Sequence, residues 1–231
     1  MVFYKKYKGL FIGLVIILTW FTSLILLLNF EIYWTNPIFL VFILIQTHLY
    51  TGLFITAHDA IHGVVVVGNK RLNYIIGFFC ATLFAFNFYP KLERKHHHHH
   101  QFVVSDADPD YHTGGFWSWY FKFLMEYVTI WQIVCMAITY NLLKLVFPME
   151  NLIVFWMIPA ILSTFQLFYF GTYIPHRGEH LPNDIYKAKS QKLNHFLAFV
   201  SCYFFGYHHE HHSQPYLPWW KLAEARENNE V

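Results

Sequence analysis

From Leu10 to Phe30 the chain carries no charged side chain, and as a helix this run is long enough to cross a hydrocarbon core of about 30 Å. A second apolar run, Ile38 to Ala57, starts just after Pro37 and ends directly on His58. Two more, Tyr127 to Phe147 and Leu152 to Ile174, are separated only by Pro148, Met149, Glu150 and Asn151, which reads as an antiparallel helical hairpin with a tight turn. Composition agrees: 56% of the residues are hydrophobic and 13% charged, too few charges for the surface of a soluble domain of this length. The chain is expected in a membrane. Its net charge of +2, with no basic patch interleaved with aromatics, gives no footprint for a nucleic-acid binder.

Lys5, Lys6 and Lys8 precede the first run, as they would in a signal peptide, but the run is longer than a typical signal core and no small-residue cleavage site follows, so a retained helix is expected. With the N-terminus in the cytoplasm, Glu31 to Pro37 and Pro148 to Asn151 fall on the far side. Lys144 is then the only one of sixteen Lys and Arg residues near that face, as the positive-inside rule requires. This orientation needs the shorter apolar stretch Leu72 to Tyr89 to lie along or dip into the cytoplasmic face. A crossing segment there would separate His58 and His62 from His96 to His100. Phe196 to Gly206 is too short to span. The fold expected is an all-α integral membrane protein, one domain over residues 1–231, with four transmembrane helices at about 10–30, 38–57, 127–147 and 152–174, a non-crossing segment at 72–89, and a cytoplasmic cap that carries the histidines.

Those histidines are the second constraint. There are sixteen, and most fall into three tight clusters: His58 and His62 in HDAIH, the run His96 to His100, and His208, His209, His211 and His212 in YHHEHH. Neutral imidazole is the commonest nitrogen ligand of metals, and three clusters exceed what packing calls for. The five-histidine run lies mid-chain between KLERK and SDADPDYH, unlike a terminal affinity tag. His58 and His62, four apart, share one helix face. The spacing HxxHH selects His96, His99 and His100, and again His208, His211 and His212, leaving His97, His98 and His209 pointing elsewhere. Eight ligands are too many for one tetrahedral ion and suit two metals with open positions. Asp59, Asp106, Asp108, Asp110 and Glu210 are candidate acceptors for the ligands' other N–H groups. A lone histidine such as His48 reads as packing. Cys80, Cys135 and Cys202 form no CxxC and read as small hydrophobes. Phe116, Trp117, Trp119, Tyr120 and Phe121 read as an interfacial belt, and KLAEAREN near the C-terminus as a short exposed helix that frays.

Imidazoles around two irons at a membrane surface can support O₂ activation, with electrons from a soluble donor and an apolar substrate from the bilayer. In this pattern the chain resembles the membrane fatty acid desaturase and hydroxylase superfamily. Within it, HDAIHG at 58–63, KHxxHH with DPDYH at 95–112, GTYIPHR at 171–177, and YHHEHH with PYLPWWKL at 207–222 resemble the bacterial β-carotene ketolase family. The resemblance covers nearly the whole chain from the second span onward. It implies a desaturase-like fold, two non-haem irons, and oxidation of C4 of a β-ionone ring to a ketone by two hydroxylations and loss of water. O₂ is the implied cosubstrate, a soluble protein such as reduced ferredoxin the implied electron donor, and the inner membrane of a bacterium the implied location. It also implies a further ligand ahead of the third box, which His176 matches. The segment LPNDIYKAKSQKLN between His180 and His195 departs from the family's pattern. A fatty acid desaturase or a carotenoid ring hydroxylase fits the same scaffold. A histidine-rich metal transporter would place ionisable groups along its spans, and here these are few: His48, Glu126 and Lys144.

Overall fold

A computed structural model describes residues 2–192 and 194–229. Apolar runs in a bilayer must satisfy their backbone groups internally, and all regular structure among the described residues is helical. Helix α1 (Val2–Leu28) is followed by α2 (Ile38–Ile61), α3 (Lys70–Leu83) and α4 (Tyr89–Gln101). Then come α5 (Phe116–Tyr127), α6 (Ile130–Leu143) and the long α7 (Met149–His176). Short helices α8 (His195–Cys202), α9 (His208–Ser213) and α10 (Leu222–Asn229) complete the chain. The protein is an integral membrane protein with three helices long and apolar enough to cross, Lys6–Leu28, Ile38–Ile61 and Met149–His176. Helices α5 and α6 add a fourth span if the bent pair is counted as one.

The span expected over 127–147 is not one straight helix. Val128 and Thr129 are extended, and α5 and α6 meet at 83°. Thr129 restarts the helix by accepting from the backbone N–H of Gln132 at 3.2 Å. Helix α3, with fourteen residues, is only about 21 Å long, short of a hydrocarbon core. Asn69 caps its start by accepting from Leu72 N at 3.0 Å. Asn73 then ties the preceding loop down, donating to Val66 O at 2.7 Å and accepting from Val66 N at 3.0 Å. At its end Ala85 and Phe86 adopt positive φ, 51° and 57°, an elbow that sends the chain back into α4.

Two sets of polar groups inside the bundle pair across it, as a low-dielectric interior favours. Thr51 meets Ser163 at 2.8 Å and donates to Gln166, joining α2 to α7. Asn151 donates to the carbonyls of Leu27 at 2.9 Å and Phe30 at 2.6 Å, satisfying acceptors that the end of α1 leaves open. The expected aromatic belt is half realised: Trp117 and Phe121 are exposed, but Trp119 and Tyr120 are buried against Phe168. The Trp119 indole donates to the carbonyl of Asp110 at 2.6 Å, so these rings fix the loop beside the histidines. The C-terminal helix is likewise anchored, because Leu222 and Ala225 are buried, Leu222 against Ala198 and Tyr207.

Candidate metal centre

The last turn of α2 delivers His58 and His62, α4 delivers His96, His99 and His100 on its inner face, the end of α7 delivers His176, and α9 delivers His208, His211 and His212. They converge in two groups. His58, His62, His96 and His211 form one, His99, His176, His208 and His212 the other, and within each group the nitrogens lie within 4.8 Å of one another. His100 stands between them, its Nε2 3.0 Å from His211 Nε2 and its ring stacked on His212 at 4.2 Å. His97 and His98 are exposed, and His209 turns its ring to Tyr186.

The nitrogens meet tip to tip: His58 and His211 at 3.2 Å, His62 and His96 at 2.7 Å, His99 and His212 at 3.2 Å, and His208 and His212 at 3.0 Å, all between Nε2 atoms. One such pair can share a proton. A whole set of lone pairs turned to common points repels unless cations occupy those points. His176 shows this most plainly: its Nδ1 is held 2.9 Å from the carbonyl of Lys187, while its buried Nε2 has no hydrogen-bond partner among the described residues. His99 is arranged likewise, Nδ1 donating to Asp108 Oδ1 at 2.9 Å and Nε2 facing the second group. Such anchors fix the tautomer and leave Nε2 as the ligand atom. Two buried four-histidine groups therefore fit a two-metal site.

Electrostatics agree. Burial, reinforced by the neighbouring rings, holds His96, His208, His211 and His212 well below the usual imidazole range, and brings His62 to about 4 and His100 to about 2. These rings are neutral, the form that ligates metals. His99 differs. Burial disfavours its cation, but the carboxylates of Asp110 and Asp108 outweigh burial and raise it. Asp108 also accepts from the backbone N–H of Val104 at 2.9 Å and Asp110 at 2.8 Å, and Asp110 accepts from the Tyr127 hydroxyl.

The other acids divide. Asp59 is buried, 3.5 Å from His58 Nδ1, and accepts from Trp219 N at 3.1 Å. Asp106 is exposed. Glu210, expected as an acceptor for a ligand's second N–H, meets the Ser190 hydroxyl and Arg226 instead. On a short helix a residue between two inward histidines points to the opposite face. His180 and His195 serve the frame, His180 bonding the carbonyl of His176 at 3.1 Å and His195 bonding Tyr207 and Glu227. His48 stacks on Tyr203 at 4.2 Å, as packing predicts.

The divergent stretch 181–194, apart from Leu193, which lies outside the described residues, is a strap on the site. Besides the Lys187 carbonyl on His176, Lys189 N bonds Pro175 O at 3.0 Å and Gln191 N bonds Gly206 O at 2.9 Å. Sequence reasoning gave this stretch no role, since its contributions are mostly backbone atoms. Beside the imidazoles of His58, His96, His99 and His208 lies a small apolar cavity of about 70 Å³, walled by Phe54, Phe84, Phe123, Leu167 and Phe205. The Phe205 ring sits 4.9 Å from His58 and 5.0 Å from His208, above the glycine of α7, Gly171, that leaves room for it. The space beside the nitrogens is thus walled mainly by apolar side chains.

The family model for fatty acid desaturase matches residues 32–131 and 126–230. A β-carotene 4-ketolase of Haematococcus lacustris is 39% identical over 196 residues, covering 80% of this chain and 61% of that protein. A β-carotene ketolase of Paracoccus sp. (strain PC1) is 39% identical over 184 residues, covering 78% of this chain and 76% of its own length. A zeaxanthin 4-ketolase of Chlamydomonas reinhardtii is 38% identical over 188 residues, covering 78% of this chain and 42% of that protein. The chain thus spans about three-fifths of the length of the Haematococcus relative. No solved structure matches it.

Proposed function

The chain belongs to the β-carotene ketolase family within the fatty acid desaturase superfamily, and we propose that it oxidises C4 of the β-ionone rings of β-carotene to ketones, giving echinenone and then canthaxanthin. The observation that carries this reading is the opening of an apolar cavity directly onto both histidine groups. His58, His62, His96, His100 and His211 would hold one non-haem iron, and His99, His176, His208 and His212 the other; the pair would supply the chemistry for reducing O₂, with electrons from a soluble donor such as reduced ferredoxin. Each round takes one O₂, two electrons and two protons, converts a C–H to a C–OH, and releases water. The second round on the same carbon gives a gem-diol that loses water to the ketone.

The protein's own part is placement and exclusion. Phe54, Phe84 and Phe205 hold the ring in a dry pocket, so that one carbon is presented to the site by proximity rather than by intrinsic reactivity alone. Asp108 and the Lys187 carbonyl keep the ring nitrogens of His99 and His176 in the ligating tautomer. The N-terminus and the site lie on the cytoplasmic side of a bacterial inner membrane, a reading supported by the charge asymmetry of the loops. Expression in a β-carotene-producing bacterium, with pigments separated by chromatography, tests the proposal. Echinenone and canthaxanthin are the expected products. A 3-hydroxylated pigment would make it a ring hydroxylase, and altered fatty acid unsaturation with unchanged carotene a desaturase.

A further inference from the structure

A second hollow of about 340 Å³ lies on the outside of the bundle, between α3 and α6. Its walls include Phe78, Phe88 and Trp131, which are exposed to the extent of 44%, 51% and 74%, and half-buried Cys135. Asn87 and Gln132 line this groove and also the inner cavity that touches the histidines. The two spaces are therefore neighbours that share those two side chains as wall.

Both belong to interruptions in the helices. Asn87 follows the positive-φ pair Ala85 and Phe86 in the elbow between α3 and α4, and Gln132 sits in the first turn of α6, just past the 83° break. The Gln132 Oε1 atom is buried without a hydrogen-bond partner among the described residues. No hydrogen bond among the described residues therefore latches the lip through this oxygen.

We propose that this groove is the port through which a long apolar isoprenoid reaches the histidines, and the seat of the part that stays outside. The identity of that ligand rests on the ketolase reading; the adjacency of the two spaces does not. A conjugated chain is rigid and much longer than its terminal ring, so with one ring at the histidines the remainder leaves by a straight opening. The opening beside His62 sets Lys70, Arg71, Glu93 and His97 among Ile61, Ile75 and Tyr89, and a hydrocarbon passing there would have to strip water from those charged groups. A substrate oxidised at both ends backs out through the α3–α6 lip, turns in the bilayer, and returns with its other ring.

Cys135 supplies a native handle, since Cys80 and Cys202 are buried. The metal-loaded protein is treated in detergent with methyl methanethiosulfonate or with a bulky pyrene maleimide, and labelling is verified by mass. β-Carotene binding is read from the shift of its absorption band, alongside ketone formation and iron content. The bulky adduct is expected to weaken binding and slow turnover by at least about tenfold with iron retained. The methylthio adduct should change either by less than about twofold, and Cys135→Ala should be insensitive to both reagents. Gln132→Trp, which narrows the lip without chemistry, should reproduce the loss with iron retained. If a fully labelled bulky adduct and Gln132→Trp both bind and convert β-carotene as the untreated protein does, the port is elsewhere. Untreated protein that binds β-carotene but forms no ketone overturns the ketolase reading alone, because the binding arm still reports on the port. Untreated protein that does not bind β-carotene overturns both.

Discussion

Two hydrogen bonds set the direction of two of the proposed ligands: Asp108 holds Nδ1 of His99 at 2.9 Å and the carbonyl of Lys187 holds Nδ1 of His176 at the same distance. Asp108→Ala should therefore loosen a ring it does not replace, lowering metal affinity by about 10–100-fold. Iron retained against a graded chelator is the measurement, and an unchanged profile would show that the buried ring needs no anchor. The exposed imidazoles give the complementary case. Alanine at His97, His98 or His209 should leave iron and turnover near the parent level, whereas alanine at His99 or His211 should abolish ketone formation; equal iron loss in both sets would place the ligands in another register. These residues were readable from the chain because three- and four-residue spacings select one face of a helix. His176 has His180 four residues on, but the helix ends at His176 and His180 turns back to its carbonyl, so spacing misleads there and only the resemblance to the family pointed to His176. Asp106 and Asp108 could not be told apart by spacing, since they lie in an irregular loop where no period assigns a face.

Among the elements, α7 shows how little space the site leaves. A Cβ on Gly171 would lie 2.2 Å from Phe205 Cε1, in a wide turn where Phe205 packs between His58 and His208. Gly171→Ala must push that ring into the cavity or away from the imidazoles, an overpacking cost of about 1–3 kcal/mol. The expected outcome is a lowered unfolding temperature together with a larger loss in turnover than in iron content. Parent-like conversion by the alanine variant would mean that Phe205 moves freely and shapes nothing. The long apolar runs that became α1, α2 and α7 could be read directly from hydropathy. The break at Val128 and Thr129 could not, because apolar residues continue on both sides and the bend comes from backbone dihedrals alone. The same holds for the elbow after α3, where Ala85 and Phe86 carry no glycine signal for their positive φ. The strap at 181–194 acts largely through carbonyls and N–H groups, which leave no mark on side-chain composition.

At the scale of the molecule, the site joins segments as far apart as His58 and His211, 153 residues along the chain, so its chemistry depends on the whole bundle being in register. One cavity faces one pair of histidine groups, and a ring held there is presented to the same oxidant in successive rounds without having to leave. The C4 hydrogens are allylic and weaker than those of a saturated chain, and after the first round the carbinol hydrogen on that carbon is weaker still. The second oxidation should therefore outpace release of the alcohol, provided the pocket keeps hold of the ring by its apolar walls. A time course of β-carotene conversion should show the 4-hydroxy species only transiently, chasing into echinenone. Canthaxanthin should rise after a lag, because the second ring reaches the site only when the molecule has been released and reversed. Restricting O₂ or reductant should slow both ketones together and leave their order unchanged. Accumulation of the free 4-hydroxy carotenoid at full O₂ and reductant would show that the pocket releases its product after one round, and canthaxanthin forming without a lag would show that the two rings are oxidised in one residence.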